Sequence, residues 1–475
     1  MSVGSDQRVV FDDRGDAYTI FPTNRWGGSV WEVLLLHWLH DQDRWEVHAL
    51  PSDLSYALLE HYDAYNDKSR PPVILANSYY NDGDAIVGHE LFLIVPTRNS
   101  DGTLTLPAPV LLTDDAIHTY PGNGGSNLVI TRGRYSYIVW AASQAVMSSG
   151  KSRVNGTPTY IIRYDHETRG LSEPVFLGLG GTAIDDHNTP AITIDRDGYL
   201  HVILGAHHQS FLYTKSLRPH SIDRGGWSTP SRIGGTTPGP EDPECISDTC
   251  DGYTYVSLIA DQQNNLHLAA RWAGSIGPVY SDGSTSHYSA QLVYLRKKSG
   301  EDWERRRSLV IPHHPTYSHW YQRIDSDRTG RLFLYYSYYA DRLYSEEVEA
   351  YQAKWPEEAP LRYHANQSST SCAANSPCYT TGPTSMYTMP LSERCECSYY
   401  RSVKEHDPVL LISDDGGDSW RIAVTNDFLI PDPLPSVGGR TVIPAGSIQR
   451  ASKVPKEPRL KNLPRSKRGQ KSGGP

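Results

Sequence analysis

Long apolar runs are missing from this chain. The most apolar stretch, Val33 to Leu39, is far shorter than the roughly 20 residues a membrane-crossing helix needs, so no membrane partner is expected. Methionine is scarce at four residues and phenylalanine at seven. The opening residues, MSVGSDQRVVFDD, contain no basic segment followed by an apolar one, and no signal peptide is visible there. No linker divides the interior. At 475 residues the chain exceeds one ordinary domain, and a repeat architecture accommodates that length as a single unit. What is abundant instead is tyrosine (31), tryptophan (11) and the turn formers glycine and proline (39 and 33). That composition favours many short strands over helices.

Charge is unevenly spread. The net charge is −9, yet from Arg450 onward nine lysines and arginines face one acid, Glu457. The preceding body therefore holds 36 basic against 53 acidic residues, near −17. A tail over 441–475 without apolar periodicity is expected to be disordered, and its basic character to be solubilising rather than a nucleic-acid arm. An acidic body argues against general polyanion binding, so no nucleic-acid partner is expected. Any anionic ligand must then meet a local cationic cleft.

Six cysteines fall in two groups, Cys245 and Cys250, then Cys372, Cys378, Cys395 and Cys397. Disulfides or free thiols are one reading. The other is part of a zinc site, from Cys395-x-Cys397 with His406 nine residues on.

The strongest organisational signal is a repeat. ITIDRDGYLHVIL (192–204), LIADQQNNLHLAAR (258–271) and RIDSDRTGRLFLYYS (323–337) share one form: apolar strand, Asp, polar turn, Leu, apolar strand. Leu200, Leu266 and Leu332 are each 66 residues apart. VITRGRYSYIVWAAS (129–143) fits the same form, and FDDRGDAYTIF (11–21) fits it loosely. A strand unit of this period matches a four-stranded propeller blade with elaborated loops. Dividing about 440 residues by the period predicts an all-β, seven-bladed β-propeller over 1–440, with an irregular insertion at 345–400. SDDGGDSW (413–420) fits an Asp-box through Ser413, Asp415, Gly417 and Trp420. A large sandwich or β-helix would not readily give so even a spacing.

Reactive residue types concentrate between His187 and Arg271. His187 precedes one strand of a hairpin and His207-His208 follows the next, so the ends return to one rim. Tyr255 and Arg271 flank the following hairpin in the same way. This set suits β-elimination beside a uronic acid. An arginine neutralises the carboxylate, because its guanidinium is always charged and bidentate. Histidine and tyrosine can then share removal of the C5 proton and donation to the leaving oxygen. Arg271, His187, Tyr253 and Asn188 are the candidate substrate contacts. A blander reading gives Arg271 a partner such as Asp261 and makes strand-end histidines structural. His201 and His267 lie inside strands and read as packing residues.

DDHNTPAITIDRDGYLHVILGAHHQSFLYTKS and TYVSLIADQQNNLHLAARW resemble the seven-bladed propeller lyases that act on ulvan, and the related lyases that release rhamnose from glucuronate in gum arabic. The resemblance runs from about residue 10 to 430. It implies cleavage of a rhamnose-α-1,4-glucuronate bond, with ulvan the first-choice polymer and gum arabic the second. His187 of His-Asn-x-Pro corresponds to the family's first active-site histidine. The histidine of Gly-x-His falls on His207, with His208 a competitor. Tyr255 and Arg271 match the tyrosine and the carboxylate-binding arginine. The chemistry requires no cofactor; some members carry a structural metal ion, zinc or calcium, and here Cys395, Cys397 and His406 are the candidate ligands. The resemblance further implies an acidic polysaccharide substrate, a monomer, and a secreted or periplasmic address. A glycoside hydrolase, for which Asp185 and Asp186 stand close by, and a non-catalytic glycan-binding propeller are the alternatives.

Overall fold

A computed structural model describes residues 9–23, 32–63, 65–78, 89–117, 127–142, 156–181, 186–207, 209–233, 252–272, 291–310, 317–327, 329–340, 363–365, 398–400, 410–424, 427, 436–437 and 440–441. Residues 1–422 form one compact unit and 423–475 a second. In the second, the described residues include a short ladder between Ser436–Val437 and Arg440–Thr441. Apart from Thr441, the tail over 441–475 lies outside the described residues.

The first unit is an all-β propeller built from antiparallel sheets of four or five strands. Blade one is Val10–Phe11, Ala17–Thr23, Glu32–Leu39 and Arg44–Ala49. Blade two is Leu54–Leu59, Ile74–Ser78, His89–Ile94 and Val110–Ala116. Blade three is Val129–Arg132, Tyr135–Ala141 and Pro158–Asp165, edged by Gly170–Leu171 and Val175–Leu179. Blade four is Ala191–Ile194, Leu200–Leu204, Leu212–Lys215 and Ser231–Arg232. Blade five is Tyr253–Ala260, Leu266–Trp272, Gln291–Lys297 and Arg307–Val310. Blade six is Tyr317–Ser326, Leu332–Ala340, Leu410–Ser413 and Arg421–Ile422.

The described residues thus form six blades, not the seven that the repeat period predicts. The cause lies in blade six. Leu332 pairs directly with Ser413 and Tyr335 with Leu410, so 341–409 is an excursion between two adjacent strands of one sheet. That span is about as long as a blade, and its described residues, 363–365 and 398–400, pair as a short antiparallel ladder.

Burial explains why the strands read as they do. Tyr253–Ala260 and Leu266–Trp272 are buried at every position, because each sheet packs against neighbours on both faces. Outer strand Arg44–Ala49 alternates exposed and half-buried residues, as a strand with one wet face must. Apolar clusters join blades four and five through Ile203, Phe211, Tyr253 and Leu268, and blades five and six through Tyr294, Leu334 and Tyr336.

The repeated aspartate is the turn device. Asp12, Asp195, Asp261 and Asp327 each accept a backbone N–H four residues on, from Asp16, Tyr199, Asn265 and Arg331, at 2.8–3.1 Å. Three residues past each aspartate the backbone is left-handed, at Gly15, Gly198, Asn264 and Gly330 with φ between +65° and +88°, where glycine and asparagine are the tolerated residues. His201 bridges Asp195 (3.1 Å) and the Tyr213 hydroxyl (2.8 Å), and His267 bridges Asp261 (2.9 Å) and Tyr294 (2.7 Å). Both histidines are buried framework residues, as their positions inside strands suggest. The Asp-box closes similarly, with Gly417 N–H donating to the Ser413 hydroxyl at 2.7 Å and Trp420 set edge-on to Tyr294 at 5.1 Å.

Residues 60–68 bind the blades together at the turn end. Glu60 accepts from Thr131 of blade three, and Asp63 accepts from Thr193 of blade four. The Tyr65 hydroxyl donates to the Asp261 carbonyl of blade five, His61 meets Asp325 of blade six at 2.5 Å, and Asp13 N–H of blade one donates to the Lys68 carbonyl. One segment therefore ties together every blade.

Burial pushes the carboxyl of Glu60 up to about 7 and that of Asp63 up to about 6, although donated hydrogen bonds pull both the other way. Both groups hold protons more tightly folded than unfolded. Their contribution to stability is therefore present in acid and lost as pH rises through about 6 to 7. His166, lowered to about 4 chiefly by burial, acts in the opposite sense, its contribution falling away as pH drops below 6.5. A Glu60→Gln variant isolates the first effect. The melting temperature of the wild type minus that of the variant is expected to decline between about pH 5 and pH 8; a difference independent of pH would contradict the assignment.

Candidate active site

Two hairpins converge at the end of the blades opposite the aspartate turns. In blade four the short turn Asp186–Asn188 leads into Ala191–Ile194, and His207 follows Leu200–Leu204. The register Ala191↔Ile203 returns both ends to one edge. Closure there depends on Gly205, since a Cβ at that position would collide with the backbone carbonyls of Asn188 and Thr189. With no side chain in the way, the rings of His187 and His207 stack at 4.3 Å, inclined by 24°. Both are half-buried.

In blade five the register runs from Ala260↔Leu266 at the turn to Thr254↔Arg271 and Tyr253↔Trp272 at the far end, and it shifts between Thr254 and Ser257. Tyr255 sits in that bulge at φ +58°. A left-handed conformation costs a side-chain-bearing residue about 1–2 kcal/mol. Bulges of this kind re-aim side chains beside functional sites. The Tyr255 ring lies 5.2 Å from His187 and 5.0 Å from Tyr321 of blade six, and the guanidinium of Arg271 rests 4.5 Å above it. Gln322, buried in blade six, donates its amide to the Tyr255 carbonyl and to that of Ala269 at 3.3 Å. The bulge is thereby latched from the neighbouring blade.

Tyr255 is 2% exposed and Arg271 7%. A fixed cation, a phenol and two imidazoles thus share one secluded edge, with the histidines on its approachable side. Seclusion from water strengthens the field of the guanidinium. The arrangement can hold a carboxylate and move protons next to it.

The structure brings together His187, His207, Tyr255 and Arg271. Arg271 does not pair with Asp261, which lies at the other end of the hairpin and is occupied by His267. Two expected substrate contacts are corrected. Tyr253 is fully buried, stacked on Phe211 at 5.3 Å within the core between blades four and five. Asn188 is 1% exposed and points inward, donating to the Thr157 hydroxyl at 3.0 Å, so it fixes the turn that carries His187. His208, Asp185, Cys395, Cys397 and His406, and the side chain of Asp186, lie outside the described residues.

Tyr321 and Gln322 escape the sequence reading. The 66-residue repeat contains the signal for the first, since Tyr321 stands one period after Tyr255.

The family described as BNR repeat-containing matches residues 135–421, more than half of the chain. The protein belongs to the BNR repeat-containing family. No curated protein matches the chain. Among solved structures, this BNR repeat protein is similar to an ulvan lyase of a new polysaccharide lyase family bound to -[GlcA(1-4)Rha3S]-, at 16% identity over 48% of each chain and a TM-score of 0.33. The match therefore spans about half the length of that lyase. A Hadza microbial sialidase is matched at 11% identity over 70% of this chain and 62% of that one, with a TM-score of 0.38. An α-L-arabinanase from Penicillium chrysogenum complexed with arabinobiose is matched at 11% identity over 70% and 90%, with a TM-score of 0.37.

Proposed function

We propose that this BNR repeat protein is a polysaccharide lyase that cleaves the bond between rhamnose and a glucuronate by β-elimination. The observation that carries the reading is the stacking of Arg271 on Tyr255, itself packed on the His187–His207 pair. In this reading Arg271 binds the uronate carboxylate through its two-pronged guanidinium and neutralises the charge that spreads onto it as the C5 proton leaves. The electrons of the C5–H bond form the C4=C5 double bond, and the C4–O4 bond breaks. Tyr255 and the histidine pair divide the two proton transfers, removal from C5 and return to the departing oxygen. Proton transfer, not a nucleophile, is the demand such a reaction makes. A phenol between a guanidinium and an imidazole meets it. The substrate is an acidic polymer such as ulvan, or the glucuronate-bearing side chains of gum arabic, met in a secreted or periplasmic setting.

The test is product mass after incubation with either polymer. An eliminated oligosaccharide is one water lighter than the hydrolysed one, so products at the hydrolytic mass would overturn the reading. Tyr255→Phe keeps the ring and its contacts but not the hydroxyl. It is expected to lose on the order of 10²–10⁴ in turnover while binding substrate as the wild type does, measured by calorimetry alongside the rate. Retained turnover in that variant would remove Tyr255 from the proton-transfer role.

A further inference from the structure

The outer hairpin of blade one carries a ligand set separate from the cluster above. His37 lies on Glu32–Leu39, and Glu46 and His48 on Arg44–Ala49, with the register His37↔Glu46 and Leu35↔His48. Alternation along each strand places all three on one face. His37 Nδ1 stands 3.3 Å from Glu46 Oε2, and His48 Nε2 stands 3.5 Å from the same oxygen. The three ligand atoms lie within 4.8 Å of one another. Zinc bound tetrahedrally at about 2.0–2.2 Å separates neighbouring ligand atoms by about 3.3–3.5 Å. Two of the three spacings therefore already have the length that a bound ion would impose.

We propose that His37 Nδ1, Glu46 Oε2 and His48 Nε2 bind a zinc ion, with a water as the fourth ligand. The side chain of His37 is fully buried, and those of Glu46 and His48 are 13% and 21% exposed. His48 Nε2 is a buried atom that makes no hydrogen bond among the described residues. Behind His37, Asp16 Oδ2 lies 3.6 Å from Nε2, too far for a hydrogen bond, so its action on the ring is electrostatic. Arg44 engages the other oxygen of Glu46 at 3.0 Å, while Oε2 accepts the Leu104 N–H at 3.4 Å and has a further lone pair for a metal. Two imidazoles and one carboxylate suit zinc, whereas calcium and magnesium favour all-oxygen sites.

The site is independent of the lyase reading and of Cys395, Cys397 and His406. It is tested on the full chain, stripped by chelator and titrated with zinc by calorimetry, then with cobalt as a visible probe. In a Cys395→Ser/Cys397→Ser variant one zinc equivalent is expected to remain, its cobalt form showing a tetrahedral spectrum without a thiolate charge-transfer band. Glu46→Gln/His48→Gln is expected to lose that equivalent and the rise in melting temperature that zinc brings. His48→Gln alone, at a partly exposed position, is expected to weaken zinc binding by about 100-fold or more. Zinc stoichiometry and affinity unchanged in the Glu46 and His48 variants, or no equivalent left in the cysteine variant, would overturn the proposal.

Discussion

Arg271→Ala is expected to lower turnover by about 10²–10³-fold while the protein stays folded. The carboxylate of a uronate makes its neighbouring C5 proton hard to remove, and in the proposed reaction the guanidinium offsets this. Loss of one charge-stabilising donor from a secluded site typically costs about 3–4 kcal/mol of barrier, and each 1.36 kcal/mol is tenfold in rate. Arg271 is 7% exposed and lies over Tyr255, so truncation removes both the proposed carboxylate anchor and the charge beside the phenol. Arg271→Lys separates the two contributions. Lysine restores a point charge without the two-pronged geometry, and a rate between those of wild type and the alanine variant is expected. Steady-state rates on an acidic polymer, with circular dichroism to follow the fold, decide the matter. Near-wild-type turnover in Arg271→Ala would withdraw the residue from the reaction.

How far the site could be read in advance depended on what kind of information placed each residue. The 66-residue spacing of Leu200, Leu266 and Leu332 reflects a repeated turn, and the shared hydrogen bonds of Asp195, Asp261 and Asp327 explain why it survives as a pattern. Hairpin closure likewise made the meeting of His187 with His207 legible. Blade number was not legible, because period arithmetic counts residues and cannot know that 341–409 departs from and returns to the same sheet. In a regular strand Tyr253 and Tyr255, two residues apart, would share one face. The bulge between Thr254 and Ser257 breaks that alternation and leaves Tyr253 in the core. Nothing in the local sequence marks the bulge, whose latch is Gln322 from another blade. The inter-blade roles of Glu60 and Asp63 were equally hidden, since Thr131 and Thr193, which they bind, are 71 and 130 residues away.

Gly205→Ala carries the second large effect. A methyl group at this position would run into the carbonyls of Asn188 and Thr189, and backbone cannot swing aside as a side chain can. Relief requires the Asp186–Asn188 turn to move, and His187 moves with it. Overpacking of this kind costs about 1–3 kcal/mol. A displacement of about 1 Å at a reacting group can cost about 100-fold in rate. Both a lower denaturation midpoint and a fall in turnover are therefore expected from one methyl. His207→Ala provides the contrast. It removes the stacked ring without a collision, so turnover is expected to fall while the midpoint shifts much less. A Gly205→Ala protein as stable as the wild type would mean that the two backbones do not approach as described.

The central claim is that Arg271, Tyr255 and the histidine pair perform β-elimination on a uronate. Ultraviolet absorbance tests it most directly, because the conjugated 4,5-unsaturated uronate absorbs where neither the polymer nor a hydrolysis product does. With ulvan, and separately with gum arabic, the wild type is expected to give a rising trace on one of them, and Tyr255→Phe and Arg271→Ala traces close to baseline. A flat wild-type trace accompanied by new reducing ends would contradict elimination and assign the same cluster to hydrolysis.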